Sequence, residues 1–143
     1  MAITDDLVRE VFRAIEARDH GRLSNLMTPD CDFRAPGFSG RGPEPAIAWM
    51  APFLDAFPDI RHEIGPIAER EGHVAFELRV KGTHTAPMRG PDGEIPPTGR
   101  PLDLAVANVW RVEDGRIAAY HIYFDQLAFL GQMGLLHEPA AAG

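Results

Sequence analysis

The stretch LDLAVANVWRVEDGRIAAYHIYFD, residues 102–125, decides how the chain is read. Two runs of alternating apolar and polar residues are joined by Glu113-Asp114-Gly115, and Asp-Gly between such runs signals a tight β-hairpin. With Asp114 and Gly115 as the turn, Glu113 faces Arg116, Trp110 falls opposite Ala119, Asn108 opposite His121 and Val106 opposite Tyr123. This register gives one face carrying Val112, Ile117, Trp110, Asn108, His121, Tyr123 and Asp125, grading from apolar to polar. Val109, Arg111, Ala118, Tyr120, Ile122 and Phe124 take the reverse face, which suits an oligomer surface. One extra residue in either strand would exchange the two faces.

Upstream, the same period of two runs through RHEIGPIAER (61–70) and HVAFELRVKGTHT (73–85), with Glu71-Gly72 as the turn. In the second run Val74, Phe76, Leu78 and Val80 point one way, and parity carries Gly82 and His84 to the same side. The result is an antiparallel meander. Before it the period is helical: Leu7, Val8, Val11, Phe12 and Ile15 form a stripe behind Thr4 as N-cap, with Asp5 and Asp6 favoured by the helix dipole. A short second helix with Leu23, Leu26 and Met27 stops at Thr28-Pro29. Cys31, Phe33 and Ala35 then alternate into a Pro36-Gly37 turn, and a loop rich in Gly and Pro follows. A third helix runs from Pro43 to Phe57, kinked at Pro52, whose ring nitrogen has no proton to donate. Residues 87–101 form a long connection, and loops of that length are often functional. Helical spacing returns from Leu127 to Leu136, and residues 138–143 read as a frayed tail.

Helices followed by long strands give an α+β class, with helices covering one face of a bent sheet. A length of 143 residues suits one domain, residues 1–143, with a sizeable core. Apolar residues make up 45% and charged residues 24%, as in globular proteins, and no apolar run reaches the length of a membrane span. Acids at Asp5, Asp6 and Glu10 replace the apolar segment of a secretory leader, so the expected compartment is the cytoplasm. The single Cys31 excludes an internal disulfide and a multi-cysteine metal site. A net charge of −7, with the cations scattered among acids, argues against nucleic acid as a partner. His62, His84, His121 and Asp125 lack any His-x-His or His-x-x-x-His spacing, so no metal site is expected.

The apolar face ending in His84 and the face ending in His121, Tyr123 and Asp125 together fit the wall of a deep ligand pocket. Taken singly, His62, His73 and His84 each suit a hydrogen-bonded structural histidine. A carboxylate between a central strand and an apolar helix is seldom buried without a partner or a task, which singles out Asp125.

Five segments carry a family resemblance: FPDIRHEI (57–64), GTHTAP (82–87), IPPTGRPLDL (95–104), VWRVEDGRI (109–117) and YFDQLAFLGQMG (123–134). They resemble the SnoaL-like polyketide cyclases, or ester cyclases, of the nuclear transport factor 2-like superfamily. The resemblance implies a cone-shaped fold whose strongly bent, antiparallel or mixed sheet wraps N-terminal helices around one central pocket. It further implies a homodimer and no cofactor. In such cyclases the aspartate matching Asp125 is the general acid/base of an intramolecular aldol ring closure. The chain departs from the family pattern at Ala119 (commonly Glu), His121 (commonly Trp) and Ala86 (commonly Gly).

The expected activity is therefore cofactor-independent proton transfer on a carbonyl-containing, polyketide-like small molecule. Asp125 is the base, and His121 and His84 are donors to the enolate. Asn108, Trp110, Tyr123, His62, Trp49, Phe53, Phe57, Met88 and Phe129 are expected to bind the substrate. Isomerisation, dehydration or epoxide hydrolysis in the same pocket, or binding without turnover, are the alternatives. Ala35 stands where ketosteroid isomerases carry their aspartate, and Asp103 and Arg111 face away from Asp125, which ranks isomerase and hydrolase chemistry lower.

Overall fold

A computed structural model describes residues 2–90 and 93–136; the expected frayed tail, residues 138–143, lies outside them. The elements in order are α1 (Ala2–Ala17), α2 (His20–Asn25), β1 (Met27–Ala35), β2 (Phe38–Arg41), α3 (Pro43–Ala56), β3 (Arg61–Arg70), β4 (His73–Thr83), β5 (Met88–Gly90), β6 (Gly93–Ile95), β7 (Pro101–Glu113), β8 (Arg116–Phe124) and α4 (Gln126–Gln132). Thr4 lies inside α1, because the helix begins at Ala2, two residues before the expected cap. The apolar stripe is as read: Leu7, Val8, Val11, Phe12 and Ile15 are all buried. Among the described residues no helix is long and apolar enough to cross a membrane.

Six strands form one sheet in the order β2-β1-β8-β7-β4-β3. The β1–β8 pairing is parallel and the others are antiparallel, so the sheet is mixed. Both expected hairpin turns form: Glu71-Gly72 and Asp114-Gly115 have positive φ at both residues, as tight hairpin turns require. Thr28 and Pro29 lie in β1 rather than ending a helix, and the Gly-rich stretch after Gly37 forms β2. The long connection holds a small two-stranded hairpin, β5–β6. α3 continues through Pro52.

The hairpin of β7 and β8 departs from the expected register after two pairs. Glu113 faces Arg116 and Val112 faces Ile117, but Arg111 then pairs with Ala119, leaving Ala118 as an extra residue. This bulge exchanges the faces of the rest of β8. Trp110 stands beside Tyr120, Asn108 beside Ile122 and Val106 beside Phe124, all toward the helices, while His121 and Tyr123 turn outward beside Val109 and Ala107. Burial drives the exchange: Ile117 and Ala118 are both buried in succession, and Tyr120 and Ile122 then follow them into the core. In β4 the expected parity holds, with Val74, Phe76, Leu78, Gly82 and His84 all buried.

Candidate functional site

The inward sheet face, α1, α3 and α4 enclose an elongated slot. Trp49, Met50, Phe53 and Leu54 come to it from α3 and Phe129 from α4. Their period of three to four residues puts them on one helix face. Trp49 and Phe53 have ring centroids 4.9 Å apart, and Phe129 meets Phe53 edge-on at 5.7 Å. Val80, Leu102, Leu104 and Val106 supply the sheet wall. About 90 Å³ is open to water-sized molecules, within about 660 Å³ of atom-free space that includes the mouth. The smaller volume limits a ligand, so the slot suits something compact.

Three polar residues border this apolar space: Asn108, Tyr120 and His62. Asn108, 2% exposed, accepts a hydrogen bond at Oδ1 from the Trp110 indole N–H at 3.1 Å, which fixes the amide with its Nδ2 donor free. Two buried side-chain polar atoms among the described residues are sealed and unpartnered, Thr28 Oγ1 and His84 Nε2. Asn108 Nδ2 and Tyr120 Oη have no protein partner among the described residues either, yet they are not sealed, and both residues line the slot. Burial pushes the Tyr120 phenol well above its ordinary pKa, so it remains an O–H donor. Burial likewise pushes the Cys31 thiol up to about 11, which leaves it an inert packing group.

The expected substrate-binding residues divide. Trp49, Phe53, Phe57, Phe129, His62 and Asn108 line the slot. Trp110 lies behind it in the core, 1% exposed, and acts on the site by holding Asn108. Met88 packs against the core from β5 without reaching the slot. Tyr123 is 54% exposed on the outer face, because the Ala118 bulge reverses its side.

None of the three residues expected to be catalytic lines the slot. His84 keeps its expected side of β4 but is fully buried behind Phe57, with ring centroids 5.3 Å apart. Its Nδ1 accepts from the Thr98 backbone N–H at 3.2 Å and lies 2.9 Å from Thr98 Oγ1. Its backbone bonds Gly99 and Arg100. The GTHT and PPTGR segments thus fasten to each other, and His84 is the clasp. His121, outward after the bulge, has Nε2 3.1 Å from Asp32 Oδ2, and Arg34 approaches the same oxygen at 3.2 Å. The hydrogen bond from His121, then the Arg34 charge, hold the Asp32 carboxyl below its ordinary pKa. Asp125 is exposed and caps α4, its Oδ1 accepting from the Leu127 and Ala128 N–H groups at 2.9 and 3.1 Å. The carboxylate that was expected in a dry hollow stands in solvent at a helix N-terminus.

Sequence reasoning missed Tyr120, Ile122 and Phe124 as slot residues, since all three were assigned to the reverse face. It also missed Glu16, which lies four residues beyond Phe12 on the same side of α1 and reaches His62.

Against known proteins, the SnoaL-like domain family matches residues 8–120. The chain belongs to the SnoaL-like domain family. The matched stretch includes every slot-facing polar residue and stops short of Asp125. IdmH from Streptomyces antibioticus, a proposed polyketide cyclase, is 26% identical, with 91% of this chain and 97% of that one covered at a TM-score of 0.76. AclR from Streptomyces galilaeus, a proposed hydroxylase, is 23% identical over 96% and 99% of the two chains, TM-score 0.80. A proposed SnoaL-like polyketide cyclase from Jannaschia sp. CCS1 is 21% identical over 95% and 94%, TM-score 0.79. These likenesses show the α+β fold with its curved mixed sheet. The chain has no match among curated proteins.

Proposed function

We propose that this SnoaL-like domain is an enzyme that moves a proton at carbon beside a carbonyl in a small, flat substrate of one or two rings. In its cyclase form the resulting enolate closes a ring by intramolecular aldol addition. The observation that carries the reading is the pair of donors, Asn108 Nδ2 and Tyr120 Oη, without protein partners among the described residues, on two residues that line a mostly apolar slot. Buried donors are costly unless something accepts from them, and an enolate or alkoxide oxygen is an acceptor that gains charge as the reaction proceeds. In a dry site two such hydrogen bonds strengthen with that charge, which is the condition for lowering a barrier rather than merely binding. The small open volume of the slot supports a compact ketone or cyclic 1,3-dicarbonyl over a large polyketide. The names carried by structural neighbours differ, cyclase in one case and hydroxylase in another, so the chemistry is argued from the site.

The exposed position of Asp125 favours one second reading, a binding module without turnover. Deuterium incorporation from heavy water into 2-indanone separates the two. Wild-type protein is expected to exchange the benzylic protons about 100-fold faster than buffer. Binding, seen as quenching of tryptophan fluorescence, with no exchange would make the domain a binding module. Asp125→Asn is expected to exchange at nearly the wild-type rate; its loss of exchange would assign the base to Asp125, as the cyclase resemblance implies.

A further inference from the structure

The slot has two donors for an oxyanion but needs a base, and the groups first expected to supply it are elsewhere. His62 on β3 is the titratable side chain that borders the slot apart from the Tyr120 phenol. Its side chain is 8% exposed, beside Phe12 at a ring-centroid distance of 4.9 Å. Glu16 Oε2 lies 2.8 Å from both His62 Nδ1 and the His62 backbone nitrogen. An ionised carboxylate accepts only, so this double contact places a proton on Nδ1 and leaves the lone pair on Nε2. Nε2 has no protein partner among the described residues and is not a sealed atom, so it borders open space.

We propose that Glu16 and His62 form a carboxylate–imidazole dyad in which His62 Nε2 takes the substrate proton and Glu16 is the positioning residue that fixes the ring. This assignment rests on the proton-transfer reading above. In the step, the C–H bond beside the carbonyl breaks and its electron pair moves into the enolate. The proton passes to Nε2, and the enolate oxygen accepts from Asn108 Nδ2 and Tyr120 Oη. The imidazolium, its charge balanced by Glu16, then returns the proton to the alkoxide or to carbon. His62 pairs with Val80, which pairs with Leu104, and Asn108 lies four residues further along β7. In strand rise the base is thus about 13 Å from Asn108 and about 20 Å from Tyr120, which pairs with Trp110, and the inward-reaching side chains shorten both spans.

Burial lowers the His62 pKa, and Glu16 opposes that shift. The ring is therefore neutral, and a base, at neutral pH. The folded chain holds this proton less readily than the unfolded one. The contribution is complete above about pH 6.5 and is lost as the pH falls below it.

Three measurements test the dyad. Histidine 15N NMR of the wild-type protein at neutral pH is expected to show His62 protonated at Nδ1 and bare at Nε2; the opposite tautomer overturns the dyad without reference to activity. In His62→Gln, exchange into 2-indanone is expected to fall about 100-fold while 2-naphthol still binds. In Glu16→Gln, exchange is expected to fall about tenfold, and its acid limb should move to lower pH because the charge that favoured the imidazolium is gone. Exchange that persists in His62→Gln, or an acid limb that stays in place in Glu16→Gln, overturns the proposal, and the second measurement decides if His62→Gln does not fold. Failure of the wild type to exchange at all defeats the proton-transfer reading, and the dyad's catalytic role with it; persistence in His62→Gln alone defeats only the dyad.

Discussion

Trp110→Ala is expected to lower the unfolding free energy by about 3–5 kcal/mol, the range for deleting a large aromatic from a packed core. Trp110 is 1% exposed near the C-terminal end of β7, and its ring touches three others. Tyr120 lies at 4.9 Å from β8, Phe76 meets it edge-on at 5.1 Å from β4, and Phe12 stacks at 6.3 Å from α1. One side chain therefore joins the first helix to three adjacent strands. Its removal leaves a void bordered by rigid rings that cannot collapse into it, which places the expected loss toward the upper end. The same substitution frees Asn108 Oδ1, so the amide loses its fixed orientation and the slot loses an aimed donor. Urea unfolding, with the slope checked against wild type, gives the number. A loss under about 1 kcal/mol would show that Trp110 is not the centre of the core.

Tyr120→Phe is expected to behave in the opposite way, with stability nearly unchanged and activity falling sharply. The ring is 1% exposed and stays in place, while the hydroxyl that is removed has no protein partner to leave behind. Under the proposed function that hydroxyl donates to the enolate oxygen, and deleting one oxyanion donor costs about 100-fold in turnover, or about 2.7 kcal/mol of barrier. The loss should appear in kcat for 2-indanone exchange more than in affinity, because the bond strengthens as charge develops. Burial holds the phenol protonated far above neutral pH, so the effect should not vary across the neutral range. A variant with wild-type kcat would remove Tyr120 from the mechanism and leave Asn108 as the single donor.

These two predictions fall on residues that the sequence treated unequally. Trp110 was recognisable because it lies in a β7 that keeps its period of two, and Val74 to His84 kept theirs in β4. Tyr120 was lost at Ala118. Ile117-Ala118-Ala119 is uniformly apolar, so counting from the Asp114-Gly115 turn has nothing there to reveal the extra residue. The signal lay further along: in Tyr120-His121-Ile122-Tyr123-Phe124, placing Ile122 and Phe124 inside requires the bulge, and burial of apolar area is a stronger constraint than turn counting. Asp125 was misplaced for a related reason. Asp followed by Gln126-Leu127-Ala128 is an N-cap pattern, and the cap takes precedence over continuing the strand. The Glu16–His62 contact spans 46 residues and depends on how α1 lies across β3, which no local pattern specifies. The parallel β1–β8 pairing was out of reach on the same grounds. What local chemistry dictates, namely the α1 stripe and the two hairpin turns, came through intact.

Where a small aromatic ligand sits, and which atoms its oxygen meets, decides what the slot does. A crystal structure with 2-naphthol, a flat analogue of an enol, tests this most directly. The predicted result is the ring system between the α3 aromatics and Leu104, with its oxygen within hydrogen-bond distance of Asn108 Nδ2 or Tyr120 Oη. A naphthol seated instead in the outer groove between Arg34 and Tyr123, with the slot closed, would contradict it.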